Sequence, residues 1–149
     1  MSSRVLIVDD DPTNALLLES MLEDHPELLI KSITDSRQVE RAFVEFEPDI
    51  VLLDLHMPDP DGLEILRRLR GVRTSLGFLP VIVLTADTSR LARNSALLLG
   101  ADDFLTKPLD REEVVLRVRN LLHTRQLYVD LANAKEALEQ RQRRKGRPS

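Results

Sequence analysis

Three apolar runs and a shorter fourth in this 149-residue chain each end in a residue able to do chemistry. Val5-Leu6-Ile7-Val8 leads into Asp9, Asp10 and Asp11, and Ile50-Val51-Leu52-Leu53 into Asp54. Val81-Ile82-Val83-Leu84 leads into Thr85, and Asp103-Phe104-Leu105 into Thr106 and Lys107. If these ends meet, several carboxylates stand together, and at least one pKa must rise unless a cation sits among them. Carboxylate oxygens with room for water suit a hard divalent ion, Mg²⁺ with Mn²⁺ as its substitute. A lysine ammonium and a threonine hydroxyl beside that ion suit the oxygens of a phosphoryl group and the charge that spreads over them in transfer. An aspartate carboxylate can itself take such a group as an acyl phosphate.

The elements needed to bring the ends together are legible. Continuous aliphatic runs of four are the signature of strands buried on both faces. Arg4 to Val8, Leu28 to Ile33, Ile50 to Leu53, Val81 to Leu84 and Asp103 to Leu105 read as five strands. The second is partly alternating, which places it nearer an edge. Helical spacing follows each: Pro12 to Asp24, a helix with Val39, Ala42, Phe43 and Phe46, a short one with Leu63, Ile65, Leu66 and Leu69, one from Leu91 to Leu99, and one from Asp110. Asp35 or Ser36, Thr88 or Ser89, and Asp110 are the expected caps. Gly71 to Gly77 reads as a loose connection. Strand and helix alternating five times imply a parallel sheet covered on both faces. The carboxyl ends of all five strands then share one edge, where open α/β sheets bind ligands.

The last helix does not stop with the domain. Leu127, Leu131, Ala134 and Leu138 recur at spacings of four, three and four, a seam of about two heptads. No proline or glycine intervenes before Gly146, so the helix is expected to run to about Arg144, roughly 50 Å. The net charge is −4, but Arg141, Arg143, Arg144, Lys145 and Arg147 form a wholly basic end, leaving −9 on the rest. Those cations suit a solvated helix end. No recognition helix or zinc pattern accompanies them, and one tyrosine without tryptophan supplies no stacking platform, so nucleic-acid binding by this chain alone is not expected. The chain has no cysteine, no run of about 20 apolar residues and no leader pattern, which fits a cytoplasmic protein away from membranes.

Asp9-Asp10, Asp54, Met57-Pro58 with Asp61-Gly62, Thr85-Ala86 and Lys107-Pro108 resemble, in order and spacing, the receiver domain of two-component response regulators. The resemblance covers residues 3–123, with 124–149 left as a helical tail or linker. It implies a (βα)5 flavodoxin-like fold, a doubly wound parallel sheet of strand order 2-1-3-4-5, extended here by the C-terminal helix. It implies that Asp54 accepts a phosphoryl group from a sensor histidine kinase or a histidine phosphotransfer protein. Asp10 and Asp54 would hold Mg²⁺ with the backbone carbonyl of His56, Asp9 acting largely through water. Thr85 and Lys107 would bind the phosphoryl group, Thr85 and Phe104 would switch, and Lys107-Pro108 would be cis. His56 and Asp87, two residues past Asp54 and Thr85, would tune the phosphoryl lifetime. A homodimer is expected, through the C-terminal helix or through the face of the fourth helix, fifth strand and fifth helix. The chain would catalyse only its own phosphorylation and dephosphorylation, so it is not read as an enzyme. Its end falls where many such regulators begin an effector domain.

Plainer roles stand beside these. A single aspartate at a strand end is most often a cap or turn residue, and Asp11 is read that way. The His56 ring is expected to face solvent, as are His25 and His123. Phe104 has ordinary packing as its alternative. A phosphohydrolase of the haloacid-dehalogenase type would need a second acid two residues after the nucleophile, where this chain has His56. A receiver-like binding module independent of phosphorylation is the other rival, and the intact set of Asp10, Asp54, Thr85 and Lys107 argues against it.

Overall fold

Strands whose two faces are both apolar need helices on both sides, and the computed structural model, which describes residues 2–71 and 78–146, supplies them. β1 (Ser3–Val8), β2 (Leu28–Ile33), β3 (Ile50–Asp54), β4 (Val81–Thr85) and β5 (Asp103–Thr106) form one parallel sheet in the order β2-β1-β3-β4-β5. The helices are α1 (Pro12–Leu22), α2 (Val39–Phe46), α3 (Gly62–Gly71), α4 (Arg90–Leu98) and α5 (Arg111–Lys145). This is the flavodoxin-like order expected from the sequence. β2 lies at an edge, as its alternation indicated.

Successive strand residues serve opposite layers. Leu6, Val51, Leu53 and Val83 pack with Ile65 and Leu66 of α3, on the side of α2 and α4. Ile7, Leu52, Ile82 and Leu84 pack with Leu18 of α1 and Val114 of α5. Each fully buried aliphatic side chain contributes about 1.5–3 kcal/mol relative to exposure. That packing fixes where the strand ends stop.

Local details depart from the sequence reading. α1 ends at Leu22 rather than Asp24, because the His25 N–H closes a turn onto the Leu22 carbonyl at 3.1 Å. Asp35 caps a 3-10 turn at Ser36–Gln38, and α2 begins only at Val39. α2 stops at Glu47, whose φ of 51° is left-handed, one residue before Pro48. Ser89 and Asp110 are the caps of α4 and α5, accepting the Ala92 and Glu113 N–H groups. Of the connection expected from Gly71 to Gly77, Gly71 closes α3 and the other six residues lie outside those described. No helix among the described residues is long and apolar enough to cross a membrane.

α5 is 35 residues long, as the seam required. Its first turns pack through Val114 and Val118. Farther on, Arg125 pairs with Asp49 at 3.1 Å, and Tyr128 stacks on Phe78 with ring centroids 4.5 Å apart. Asp49 also accepts the Arg4 N–H, so the pair ties α5 to the amino ends of the first and third strands. From Leu131 to Lys145 every residue is exposed.

Candidate functional site

The sheet delivers Asp9, Asp54, Thr85 and Lys107 to its carboxyl edge by register alone. β1 pairs with β3 through Val8 and Leu53, so Asp9 and Asp54 follow side by side. β3 pairs with β4 through Asp54 and Leu84, which sets Thr85 beside the start of the β3–α3 loop. β4 pairs with β5 through Thr85 and Thr106, and the Lys107 N–H donates to the Thr85 carbonyl at 2.8 Å. Asp9, Asp54 and Thr85 are buried, whereas Asp10 is exposed.

Carboxylate oxygens of Asp9, Asp10 and Asp54 lie within 4.8 Å of one another. The Lys107 ammonium stands between two of them, 3.4 Å from Asp9 Oδ2 and 3.3 Å from Asp54 Oδ1. Burial pushes the Asp9 carboxyl above its ordinary pKa, and the Asp54 charge adds to this; the Asp11 N–H and Lys107 oppose it. The rise at Asp9 thus comes mainly from burial, with the crowding of carboxylates as the smaller contribution. One lysine does not neutralise three carboxylates. An all-oxygen donor set with one exposed member fits a hard divalent ion that keeps several waters.

Asp11 is the α1 cap, its carboxylate accepting the Thr13 N–H at 2.9 Å outside the cluster, while its own N–H donates to Asp9 Oδ1 at 3.0 Å. Asp87 is exposed and accepts the Ser89 N–H at 2.8 Å. That bond, with the Ser89 hydroxyl and the His56 ring adding to it, holds its carboxyl below the usual range. Phe104 is half-buried against the cluster of the α2–α4 side. Lys107-Pro108 is cis as expected; Asp59-Pro60 is also cis, which the sequence reading missed.

The His56 ring does not simply face solvent. Its Nε2 lies 2.9 Å from Thr85 Oγ1, while the backbone N–H of His56 donates to Asp54 Oδ1 at 3.2 Å. The reason is the β3–β4 register, which brings the residue two past Asp54 next to the one past Leu84. Nothing in a single sequence signals a contact between residues 29 apart.

A parallel sheet of this order, with an aspartate pair on its first strand end, a buried aspartate on the central one and a lysine followed by a cis proline on the last, is the build of receiver domains. The model of the response regulator receiver domain family matches residues 5–119, and the chain belongs to that family. It is 41% identical over 119 residues to the transcriptional regulatory protein TrcR of Mycobacterium tuberculosis, covering 80% of this chain and 45% of TrcR. To the virulence transcriptional regulatory protein PhoP of Salmonella typhimurium it is 40% identical over 122 residues, covering 80% and 51%. The BeF3-activated receiver domain of DrrB superposes with a TM-score of 0.73 at 27% identity, covering 83% of this chain and 99% of that one. The chain thus spans about half the length of the curated relatives it matches, which are named as transcriptional regulatory proteins.

Proposed function

We propose that this chain is a phosphorylation-controlled switch whose phosphoacceptor is Asp54. The observation that carries the reading is the Lys107 ammonium held between the buried Asp9 and Asp54 carboxylates at the sheet's carboxyl edge. An Asp54 oxygen attacks the phosphorus of a phosphohistidine on a sensor histidine kinase or histidine phosphotransfer protein. The P–O bond forms as the P–N bond breaks, and the imidazole leaves. Asp10, Asp54 and the His56 carbonyl would hold Mg²⁺, with Asp9 acting through water, and the ion would supply neutralisation of the oxygen charge that develops in transfer. Lys107 binds the phosphoryl group. Thr85 turns toward it, and half-buried Phe104 follows the space it vacates. His56 and Asp87 flank the approach of attacking water and set the lifetime. The setting is cytoplasmic, the globular body is residues 3–123, and residues 124–149 are the connection to an output.

The test is intact mass after incubation with acetyl phosphate. A gain of about 80 Da, one phosphoryl group, is expected with Mg²⁺ and not with a chelator, and Asp54→Asn abolishes it. A chain that gains no mass from acetyl phosphate or from any histidine-kinase donor is a binding module instead.

The distal part of α5 supports a homodimer within the same proposal. Leu127, Leu131 and Leu138 are 55%, 68% and 59% exposed, a wasteful stripe for a helix that ended in water. A solvated helix of this length is marginal by itself. With Leu131 and Leu138 at a and Ala134 at d, Asp130 falls at g and Lys135 at e. In a parallel, in-register pair these two meet across the seam, once on each side. Arg141, next on the seam, ends it. Leu131→Asp with Leu138→Asp is expected to yield a monomer by light scattering. Lys135→Asp weakens the dimer by about fivefold, and adding Asp130→Lys restores it. An unchanged dimer in the double leucine variant moves the interface to the α4–β5–α5 face, where Leu98 and Leu116 are exposed.

A further inference from the structure

We propose that the His56 imidazole is a latch on the Thr85 hydroxyl, holding the switch residue to the β3–α3 loop until the phosphoryl group arrives. The inference rests on Asp54 being the phosphoacceptor. Thr85 is fully buried, and its Oγ1 has two partners: the Asp87 N–H at 3.0 Å and His56 Nε2 at 2.9 Å. A hydroxyl offers one proton and two lone pairs, so these partners occupy most of its capacity. His56, by contrast, is exposed, and its ring makes no other hydrogen bond among the described residues. Packing does not explain the ring's placement; the bond to Thr85 does.

The same residue reaches the acceptor through its backbone, since the His56 N–H donates to Asp54 Oδ1. One residue thus touches both the carboxylate that takes the phosphoryl group and the hydroxyl that must move to it. In the tautomer whose Nε2 accepts the Thr85 proton, Thr85 can donate to a phosphoryl oxygen on Asp54 only by leaving the imidazole. A bond present in one state and absent from the other biases their equilibrium by its own strength, roughly three- to tenfold for a single neutral hydrogen bond. His56 is a positioning residue in this scheme, acting through Thr85.

Two variants keep the backbone bond to Asp54 and differ in the latch. His56→Leu has similar bulk and no polar atom; His56→Gln retains polar atoms at comparable reach. The first readout needs no ligand: three-bond couplings to the Thr85 Cγ2 carbon, which report its χ1 rotamer in the Mg²⁺-free, unphosphorylated chain. A single rotamer is expected in the wild type and in His56→Gln, and averaging in His56→Leu. The second is the affinity for beryllium trifluoride with Mg²⁺, expected to tighten about three- to tenfold in His56→Leu and to stay within about twofold in His56→Gln. Unaveraged couplings in His56→Leu overturn the latch. So do averaged couplings with unchanged beryllium trifluoride affinity. A wild type that gains no phosphoryl group and binds no beryllium trifluoride overturns the acceptor reading instead, and the couplings then decide alone whether His56 holds Thr85.

Discussion

Gly62→Ala is expected to lower the melting temperature by about 6–12 °C, the loss of about 3 kcal/mol in a chain of this size. Gly62 opens α3 and is buried against the backbone that carries Asp54. A methyl group there would overlap both the Asp54 carbonyl oxygen and the Leu55 Cα. Neither atom belongs to a side chain that can turn away. Either the first turn of α3 or the Asp54-Leu55 peptide must shift; buried Ile65 and Leu66 hold the first, and the Leu55 N–H on the Leu84 carbonyl at 3.0 Å holds the second. The variant should also gain phosphoryl mass from acetyl phosphate more slowly, because the shift falls on Asp54. Gly71, at the other end of the helix, is the control. A Cβ there meets nothing within 4 Å, so Gly71→Ala should be neutral or slightly stabilising. Thermal melts of the two variants decide the matter; equal melting points would show that the strand end yields freely.

Lys107→Met should cost about 3 kcal/mol at neutral pH without divalent cations, the low end of what removing one partner of a buried ion pair costs. The ammonium is the only cation within 4.0 Å of Asp9 and Asp54 among the described residues. Its loss removes one of the influences that lower the Asp9 pKa, so that raised value rises further. A carboxyl whose folded-state pKa is raised holds its proton longer in the folded than in the unfolded chain. Stability therefore falls as pH climbs from the unfolded value toward the folded one, and the full deficit is present above it. The deficit of the variant should be smallest near pH 4 and grow toward neutrality. Mg²⁺ should recover most of it, since a bound cation replaces the missing charge. Urea midpoints at both ends of that range, with and without Mg²⁺, test the sign. A deficit independent of pH and of Mg²⁺ would mean that lost packing, not charge, is responsible.

These two effects were unequally legible beforehand. The need for a cation near the carboxylates follows from residue types and strand ends. Parallel strands buried on both faces are written as unbroken aliphatic runs, so Ile50 to Leu53 and Val81 to Leu84 gave away both their extent and what stood after them. Capping residues announced α4 and α5 for the same local reason. The crowding at Gly62 was not visible, because it arises between a helix start and a strand end eight residues earlier. The His56–Thr85 bond, the Arg125–Asp49 pair and the stacking of Tyr128 on Phe78 belong to the same class. Each joins elements whose spacing is set by register and packing, which a single sequence does not encode locally. The 3-10 turn ahead of α2 is subtler: Asp35 was a correct cap, but the first turn it capped closed more tightly than a helix does.

The place where α5 is last held has a mechanical meaning. Beyond Tyr128 the helix continues to Lys145, about 25 Å of rigid rod at 1.5 Å per residue. A rod fixed at one end magnifies rotation at the other. A tilt of about 5° at the Tyr128–Phe78 stack, well within what a side-chain rearrangement produces, carries the tip sideways by about 2 Å. Phe78 stands three residues before the start of β4, the strand that ends in Thr85. A small rotation at the aromatic pair is therefore expected to reach Lys145 as a sideways displacement of about 2 Å, with that pair as its pivot.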